Sequence, residues 1–432
     1  MAIFTYLLGC FILSIANATP QAVSPSSSVD SVAPSPSATA ASLTTEEREE
    51  LFSLHEKLVN IPSISNHETE CADFVSEYIE KLGYFVDKVP VGNTSTYNIF
   101  AYPQELKDGG ILPEVLITSH MDTVRTLTFA YSQTESADHR QQVPPFFPFE
   151  RREKNGTIYH YGRGTVDAKG PVATMIIASH KFFQSQSETP RLGMLFVVGE
   201  EIGGTGMKAF ASYAKNTTFR AAIFGEPTEG KLASGHKGSL GLTLDVKGKA
   251  AHSAYPWLGV SAIKYLVDGI SALQSLEPAL PSSELLGPTT LNTGVISGGV
   301  AGNVVAEAAN ASISIRIARS EDDAVSVVRD LVTGMLSPVV AAAKAANATF
   351  NVIFSNATYP APILDTDVEG LEVAPVFYGT DIPSLPQVKK RYLFGPGTIE
   401  VAHTSNEELS QGELVKAAEA YGLILKSLFA ES

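Results

Sequence analysis

Short, nearly continuous apolar segments alternate with helix-length segments in the first half of the chain, and this alternation constrains the fold more than any other feature of the sequence. The apolar segments are residues 115–118, 192–198 and 221–224, and helical patterns cover 172–185 and 207–214. Strands that are apolar throughout are typical of a mostly parallel sheet with helices on both faces. The pattern therefore predicts an α/β fold whose ligand sites lie beyond the carboxyl ends of the strands.

The order of elements changes in the second half of the chain. The segments there read as strand 240–246, helix 258–276, strands 290–296 and 304–317, helix 322–343 and strand 350–354. This βαββαβ order predicts a ferredoxin-like domain inserted into the first one. Two domains also suit a chain of 432 residues, which exceeds the usual size of a single hydrophobic core. The predicted boundaries are 43–235 together with 359–432 for the first domain, and 236–358 for the insertion.

The first 42 residues predict export. Residues 1–18 form a short apolar run that ends in Ala16-Asn17-Ala18, a small-residue pattern typical of a cleaved signal peptide. The run lacks the usual positive charge near its start, so a membrane anchor is the alternative, although the run is shorter than a spanning helix. No later segment is expected to span a membrane. Residues 19–42 are rich in Ser, Pro and Ala and predict a disordered leader.

Sequons strengthen the prediction of secretion. Six Asn-x-Ser/Thr sequences follow the leader, at Asn93, Asn155, Asn216, Asn310, Asn347 and Asn356. We therefore expect a secreted, extracellular glycoprotein. Only Cys71 remains once Cys10 is removed with the signal peptide, so no disulfide forms within the mature chain, and a buried thiol is expected.

The charge balance excludes two classes of partner. Lys and Arg number 31 against 46 Asp and Glu, which gives a formal net charge of -15. An acidic surface repels phosphate backbones and anionic lipids, so neither nucleic acid nor a membrane is expected as a partner. A locally cationic pocket for a small anion is compatible with this charge.

Polar clusters stand at the predicted strand ends. The strand 115–118 runs into His120 and Asp122, which emerge on one side of an extended chain, so Asp122 can orient the imidazole. Glycines within 162–171 let the chain turn before a helix and present Asp167 to the same edge. A phosphate cradle is the alternative for this segment, but it has neither the dinucleotide nor the P-loop spacing.

Three further clusters carry carboxylates and a histidine. Glu200 and Glu201 follow the strand 192–198, where a metal bound by one carboxylate and a water held by the other would compensate their burial; a solvated pair is the alternative. Glu226 follows the strand 221–224, and His403 lies near the carboxyl end of the chain. Two histidines and three carboxylates suit a pair of zinc, cobalt or manganese ions, and imidazole ligation favours zinc.

These motifs resemble those of the M20 metallopeptidases, and the likeness covers nearly the whole chain from residue 44 onward. The family includes bacterial glutamate carboxypeptidase, succinyl-diaminopimelate desuccinylase, acetylornithine deacetylase and aminoacylase. The resemblance implies a zinc-peptidase catalytic domain with a mixed central sheet flanked by helices, plus an inserted lid or dimerisation domain. It implies two metal sites that share one carboxylate: His120, Asp167 and Glu226 for one ion, and Asp167, Glu201 and His403 for the other. Asp122 matches the family's orienting aspartate, and Glu200 its general base.

The inserted domain carries further matches. The residues around His252 resemble the lid histidine motif, which makes His252 the expected donor to the developing oxyanion; in dimeric relatives this histidine comes from the partner subunit. Asn303 and Arg316 resemble the residues that grip the substrate carboxylate, a contact that suits a planar guanidinium. Gly395 and Gly397 are predicted to contribute to the substrate site.

The resemblance implies metal-assisted hydrolysis of an amide bond next to a free carboxylate. We expect a secreted carboxypeptidase with two Zn2+ per subunit, for which Co2+ or Mn2+ can substitute, and a homodimer formed through the lid. An N-acyl amino acid deacylase is the main alternative, because its substrate also presents a carboxylate to Arg316. An M28-type aminopeptidase and an inactive secreted binding protein are the others. The Pro- and Phe-rich segment 130–154 is predicted only to be a loop near the active site.

Overall fold

The first helix is capped at its amino end as the sequence predicts. The computed structural model describes residues 42–124 and 146–430; the predicted signal peptide, all but the last residue of the leader and much of the 130–154 insertion lie outside them. The Thr44 hydroxyl accepts a hydrogen bond from the Glu47 N–H (3.2 Å), and the Glu47 carboxylate accepts one from the Thr44 N–H (2.7 Å). This reciprocal pair satisfies two backbone donors where the helix begins.

The described residues form eight α-helices and seventeen strands. The helices are α1 (Thr45–Asn60), α2 (Thr69–Lys81), α3 (Gln104–Asp108), α4 (Lys169–Ser185), α5 (Thr205–Tyr213), α6 (Ala262–Leu276), α7 (Ala324–Ala345) and α8 (Gln411–Ala430). The strands are β1 (Tyr84–Pro90), β2 (Tyr97–Pro103), β3 (Val115–His120), β4 (Glu150–Lys154), β5 (Thr157–Tyr161), β6 (Leu192–Val197), β7 (Phe219–Gly225), β8 (Leu232–Ala233), β9 (Gly238–Lys247), β10 (Ser282–Ser283), β11 (Gly287–Pro288), β12 (Thr290–Gly298), β13 (Ala308–Ile317), β14 (Thr349–Phe354), β15 (Val373–Ala374), β16 (Val388–Phe394) and β17 (Glu408–Ser410).

A six-stranded sheet forms the centre of the first domain, in the order β1-β2-β6-β3-β7-β16. Strands β6, β3, β7 and β16 run parallel, whereas at one edge β2 pairs antiparallel with β6 and β1 pairs antiparallel with β2. The predicted mixed central sheet is therefore confirmed. The sequence pattern did not reveal β1, because this edge strand is mostly half-exposed and has no continuous apolar run to mark it.

Alternate residues of the parallel strands pack into two separate hydrophobic clusters. Val115 and Ile117 of β3 belong to a cluster that includes residues of α1, α4 and α8. Leu116 belongs to another cluster, which includes Met207 and Phe210 of α5. Each fully buried aliphatic side chain contributes roughly 1.5–3 kcal/mol to folding. Because both faces of the sheet are covered, β3 is apolar from Val115 to Ile117 and β6 carries no polar side chain.

The inserted segment forms a second sheet of four antiparallel strands, in the order β12-β13-β9-β14. Apart from the short β10-β11 hairpin, its elements follow one another as β9-α6-β12-β13-α7-β14, the predicted ferredoxin-like order. Buried and half-exposed residues alternate along β9, and the buried Leu240, Leu242 and Leu244 share a cluster with Val328 of α7. Helices therefore cover one face of this sheet. The fold class is confirmed, and the domain boundaries remain predictions.

Helix α7 corrects the expectation that no segment after the signal peptide could span a membrane. Among the described residues it is the one helix that is long and apolar enough, by length and composition, to do so. Its residues Val328, Val332 and Leu336 are buried in the same cluster as the lid strands. One stripe of α7 therefore belongs to the lid core.

The end of the 130–154 insertion takes part in regular structure. Strand β4 pairs with β5, which pairs with β17, in a three-stranded sheet. Phe147 is buried, and its ring centroid lies 4.9 Å from Cζ of Arg163. This part of the insertion therefore supports the loop that precedes Asp167.

Elsewhere, Cys71 is buried, as predicted, and burial raises the pKa of its thiol.

Candidate active site

The predicted polar side chains lie together at one edge of the central sheet. His120 is the last residue of β3, Glu201 follows β6 and Glu226 follows β7. Asp167 lies just before α4, and His403 lies between β16 and β17. The carboxyl ends of parallel strands meet at this edge, which is where sheets of this type bind their ligands.

Asp167 stands between two pairs of candidate ligands. Its Oδ1 lies 2.9 Å from Nε2 of His120, and the same Nε2 atom lies 3.7 Å from Oε1 of Glu226. Its Oδ2 lies 3.1 Å from Nε2 of His403, which is 3.1 Å from Oε1 of Glu201. The two oxygens of Asp167 thus face different pairs, as expected of a carboxylate that bridges two ions.

The donor atoms fit two zinc ions. A tetrahedral Zn2+ with bonds of about 2 Å keeps its ligand atoms roughly 3.3 Å apart, which is close to the separations above. Ligand atoms of His120, Asp167 and Glu201 all lie within 4.8 Å of one another. Imidazole nitrogen and carboxylate oxygen are both common zinc ligands. The residues present can therefore hold a pair of divalent cations.

Burial and mutual repulsion shift the pKa values of the cluster. Burial opposes a charge on His120, but the surrounding carboxylates, chiefly Glu226, outweigh it and hold the His120 pKa well above its ordinary value. Burial raises the pKa of Glu201 to about 7, and the charge on Asp167 adds to this effect. Hydrogen bonds to Asp167 and Glu201 raise the pKa of His403 to about 10. Carboxylates crowded in this way need positive compensation, which divalent ions supply.

Asp122 connects His120 to the turn that carries the two glutamates. Nδ1 of His120 lies 3.0 Å from the Asp122 carbonyl oxygen, to which it can donate, and Nε2 is the ring atom that faces Asp167 and would be available to a metal ion. The Asp122 carboxylate is 3.4 Å from Nδ1 and accepts hydrogen bonds from the N–H groups of Glu200 (3.0 Å) and Glu201 (3.2 Å). Asp122 therefore orients the imidazole mainly through its backbone, while its side chain fixes the turn.

Glu200 lines the cleft beside the ligands and belongs to neither ligand pair. Burial raises its pKa well above the ordinary value, and the charge on Asp381 raises it further. A carboxyl group with a raised pKa can both accept and return a proton near neutral pH. This position suits the predicted general base.

Glu407 joins the Asp167 loop to the segment that follows His403, a role that the sequence analysis missed. One carboxylate oxygen accepts hydrogen bonds from the N–H groups of Val166 (3.0 Å) and Asp167 (3.2 Å), and the other accepts one from Nη1 of Arg163 (2.8 Å). Both charged side chains are 1% exposed. Removing one partner of such a pair leaves an uncompensated buried charge.

We expect Glu407→Gln to lower the free energy of unfolding by about 3 kcal/mol, because the charge of Arg163 stays buried without its partner. The variant should also bind metal more weakly, because the Asp167 loop loses its anchor. Denaturant unfolding and a metal titration measure the two effects. Glu408→Gln is the matched control: Glu408 pairs with the half-exposed Lys154, so its loss should change stability by less than about 1 kcal/mol. Equal effects of the two substitutions would contradict the anchoring role.

A cleft of about 1000 Å3 has the ligand cluster on one wall and lid residues on another. Arg316 of β13, Tyr359 and Gly379 meet there, since a Cβ on Gly379 would overlap the Tyr359 hydroxyl and lie 2.7 Å from Nη1 of Arg316. Burial raises the pKa of Tyr359 to about 12, although Arg316 opposes the shift. A guanidinium and a phenol hydroxyl that face a cleft suit a carboxylate ligand.

His252 and Asn303 do not line this cleft in the chain that carries them. They lie side by side on the lid, where the N–H of Ser253 donates to the Asn303 carbonyl (3.0 Å) and His252 forms a β-bridge with Val304. Both residues are exposed. Of the three predicted lid residues, Arg316 alone lines the cleft of its own chain, so the roles of the other two stay predictions that require a partner subunit.

The contribution of Gly395 and Gly397 to the substrate site stays a prediction. Both are buried and neither lines the cleft. A Cβ on Gly395 would overlap the Glu226 carbonyl, and a Cβ on Gly397, whose φ is +78°, would lie 3.0 Å from side-chain atoms of Leu409 and Val166. These glycines let two loops pack closely behind the ligands.

Two other residues at or near the site, Asp381 in the cleft and Ser65 behind it, also escaped the sequence analysis. Asp381 is 7% exposed, and burial raises its pKa to about 7. Ser65 donates a hydrogen bond to the Asp122 carboxylate (2.8 Å). The one sequence signal for Asp381 is a Gly-Thr-Asp segment shortly before a proline, which by itself predicts only a turn.

Sequence relatives cover most of the chain. A family model for a peptidase dimerisation domain matches residues 234–338. A probable carboxypeptidase from Uncinocarpus reesii is 41% identical over 415 residues, which cover 88% of this chain and 86% of the relative. A probable carboxypeptidase from Aspergillus terreus is 39% identical over 399 residues, which cover 87% of this chain and 86% of the relative.

Solved structures share the fold. An M20 family metallo-carboxypeptidase from Sulfolobus solfataricus has a TM-score of 0.63 at 18% identity, over 88% of this chain and 98% of the other. A dinuclear metal binding peptidase of the M20 family from Bacillus subtilis has a TM-score of 0.60 at 15% identity, over 89% of this chain and 99% of the other.

The two sheets, the ligand cluster at the strand ends and these relatives define a metallopeptidase. The extent of the sequence match makes the assignment specific. The chain belongs to the M20 family of metallopeptidases. The predicted family and the prediction of a peptide hydrolase are therefore confirmed.

Proposed function

We propose that this chain is a carboxypeptidase that removes residues from the free carboxyl end of peptides. The observation that carries the proposal is that Glu200, Arg316 and four of the five candidate ligands line one cleft. A peptide whose terminal carboxylate pairs with Arg316 would direct its last amide bond toward the ligands. The naming of the curated relatives as probable carboxypeptidases supports the same activity.

The proposed cofactor is a pair of zinc ions per subunit, with Co2+ or Mn2+ as substitutes. The mixed imidazole and carboxylate donors support zinc, and the dinuclear site of the Bacillus subtilis M20 peptidase supports two ions. When bound, the ions supply Lewis acidity, which polarises the scissile carbonyl and makes a water molecule more acidic. Elemental analysis of the purified protein tests the proposal, and two zinc ions per chain are expected.

Different side chains bind the substrate, transfer the proton and stabilise the developing negative charge. Arg316 and Tyr359 hold the terminal carboxylate and so orient the amide bond. Glu200 takes a proton from the attacking water and delivers it to the leaving nitrogen. His252 of a second subunit donates a hydrogen bond to the oxygen on which negative charge develops.

The proposed assembly is a homodimer formed through the lid. Large apolar side chains near His252 are exposed, with Tyr255 54%, Trp257 73% and Val300 88% accessible. Exposed apolar patches of this kind mark protein contacts. The match of the segment to a peptidase dimerisation domain supports the same surface.

The proposed location is extracellular. All six sequon asparagines are exposed, which supports access to the glycosylation machinery. The apolar amino terminus supports export. Recovery of glycosylated protein from the culture medium, with an amino terminus beyond residue 18, would test this.

Product analysis by mass spectrometry tests the activity directly. Zinc-loaded protein is incubated with free-acid peptides, the same peptides as carboxyl-terminal amides, and N-acetyl amino acids. Loss of the last residue from free acids alone is the expected result. Deacylation alone would establish the deacylase alternative, and removal of amino-terminal residues from the amides would establish an aminopeptidase. Zinc binding without any turnover would indicate an inactive binding protein.

We expect Arg316→Ala to lower kcat/KM for free-acid peptides by about 100-fold, mainly through KM, because an ion pair with the substrate is lost. Arg316→Lys should recover part of the loss, since it restores the charge without the planar pair of donors. Steady-state kinetics measures both variants. A loss that is confined to kcat would contradict a carboxylate-binding role.

A further inference from the structure

One of the six sequons lies on the wall of the substrate cleft. Asn356, Ala357, Thr358 and Tyr359 all line it, and Asn356 is the asparagine of an Asn-Ala-Thr sequon. The other five sequon asparagines are not among the residues that line the cleft. Of these six described asparagines, Asn356 is therefore the one at which an attached glycan would start on the cleft wall.

The surroundings of Asn356 make it accessible. It follows the end of β14, and Ser355, Asn356 and Ala357 are all exposed. The Ala357 N–H donates to the Ser355 hydroxyl (3.1 Å), while within the described part of the chain the Asn356 amide makes no hydrogen bond that a glycan would break. Asparagine glycans are bulky and stand on surfaces of this kind.

The sequon lies close to the group that binds the substrate carboxylate. Asn356 precedes Tyr359 by three residues, so their Cα atoms are at most about 11 Å apart. Tyr359 meets Arg316 at Gly379. A branched oligosaccharide on Asn356 is long enough to reach over this part of the cleft.

We propose that Asn356 carries an N-linked glycan that limits the size of the carboxyl-terminal residue the enzyme can release. The inference rests on the proposed function and on the proposed secretion. The glycan covers the end of the cleft where Arg316 holds the terminal carboxylate, so a large released residue competes with it for space. The amino side of the substrate extends away from Arg316 and past the ligands. The length of the peptide on the amino side of the scissile bond should therefore have little effect on kcat/KM.

The experiment compares released residues of increasing size. The full chain is produced through the secretory pathway of a eukaryotic host, and occupancy at each sequon is read from glycopeptide masses. The substrates share one blocked peptide and end in alanine, tryptophan or a lysine that carries a fluorescent acyl group. Asn356→Gln removes the glycan, whereas Thr358→Ser keeps the sequon. Asn347→Gln removes a glycan from the turn after α7, away from the cleft.

The expected result is an occupied Asn356 and a change of selectivity in one variant only. Asn356→Gln should raise kcat/KM for the acylated lysine about tenfold, equivalent to about 1.4 kcal/mol, and leave the alanine substrate unchanged. Thr358→Ser and Asn347→Gln should keep the selectivity of the parent protein. Endoglycosidase trimming of the parent protein should reproduce the effect of Asn356→Gln without a substitution.

Two results would overturn the inference. One is secreted protein with an unmodified Asn356, and the other is unchanged selectivity after the Asn356 glycan has been lost. Failure of the proposed function is a different outcome, in which no free-acid substrate is cleaved by any of the proteins. In that case the proposed size limit is rejected together with the proposed carboxypeptidase activity. The glycopeptide masses still decide whether Asn356 is a modification site.

Discussion

Glu200→Ala is expected to lower kcat by at least about 10^3-fold while the protein still binds its metal ions. Glu200 belongs to neither of the ligand pairs around Asp167, so its loss leaves the donor atoms in place. The group that accepts and returns the proton is gone, and water replaces it poorly. Steady-state kinetics and elemental analysis of the same preparation measure the two quantities together.

The neighbouring glutamate provides the control for this variant. Glu201 lies 3.1 Å from Nε2 of His403, so Glu201→Ala should lose metal as well as activity. Glu200→Gln keeps the shape of the side chain and should be as inactive as Glu200→Ala. Turnover of Glu200→Gln near the parent rate would contradict the role of general base, and loss of metal from it would make Glu200 a ligand.

His252→Ala is expected to lower kcat by about 10^2- to 10^3-fold, the usual effect of removing one hydrogen-bond donor from an oxyanion site. The loss should be reversed within a mixed dimer. If His252 acts in the partner's cleft, a heterodimer of His252→Ala and Glu200→Ala subunits contains one complete site: the cleft with Glu200 receives His252 from the other chain. Such a heterodimer should show about half of the parent activity per dimer.

Co-expression with two different affinity tags isolates this heterodimer for the assay. The matched control pairs Glu200→Ala with a subunit that carries both substitutions, because neither cleft of that dimer is complete. An inactive mixed dimer would place His252 in the cleft of its own chain and would contradict the exposed position that His252 occupies on the lid. A parent protein that is monomeric by light scattering, and nevertheless active, would contradict the proposed assembly.

Four of the five candidate ligands could be picked out because each one follows a local signal. His120, Glu201 and Glu226 come directly after apolar strands, and a glycine-rich turn precedes Asp167. Parallel strands covered on both faces have to be apolar, so their ends are visible in the sequence. Where a strand lies at the sheet edge and is half-exposed, as β1 is, this signal is missing.

Residues that act through distant partners could not be predicted in this way. Glu407 accepts a hydrogen bond from Val166, which is 241 residues away along the chain. Tyr359 and Gly379 are placed against Arg316 only when the inserted domain and the first domain come together. The close packing of Gly395 against the Glu226 backbone, and of Gly397 against Leu409 and Val166, likewise depends on segments that are distant in sequence.

The sequence by itself determined the strands β3, β6 and β7, the order of the elements in the inserted domain and the candidate donor residues, because hydrophobic periodicity and strand-end polarity are local properties of the chain. Only the tertiary structure decided which oxygen of Asp167 faces which histidine, that Asp122 holds the turn of Glu200 through its carboxylate, and that His252 lies outside the cleft of its own chain. These facts depend on distances of a few ångströms between segments that are far apart in sequence. Packing alone fixes such distances.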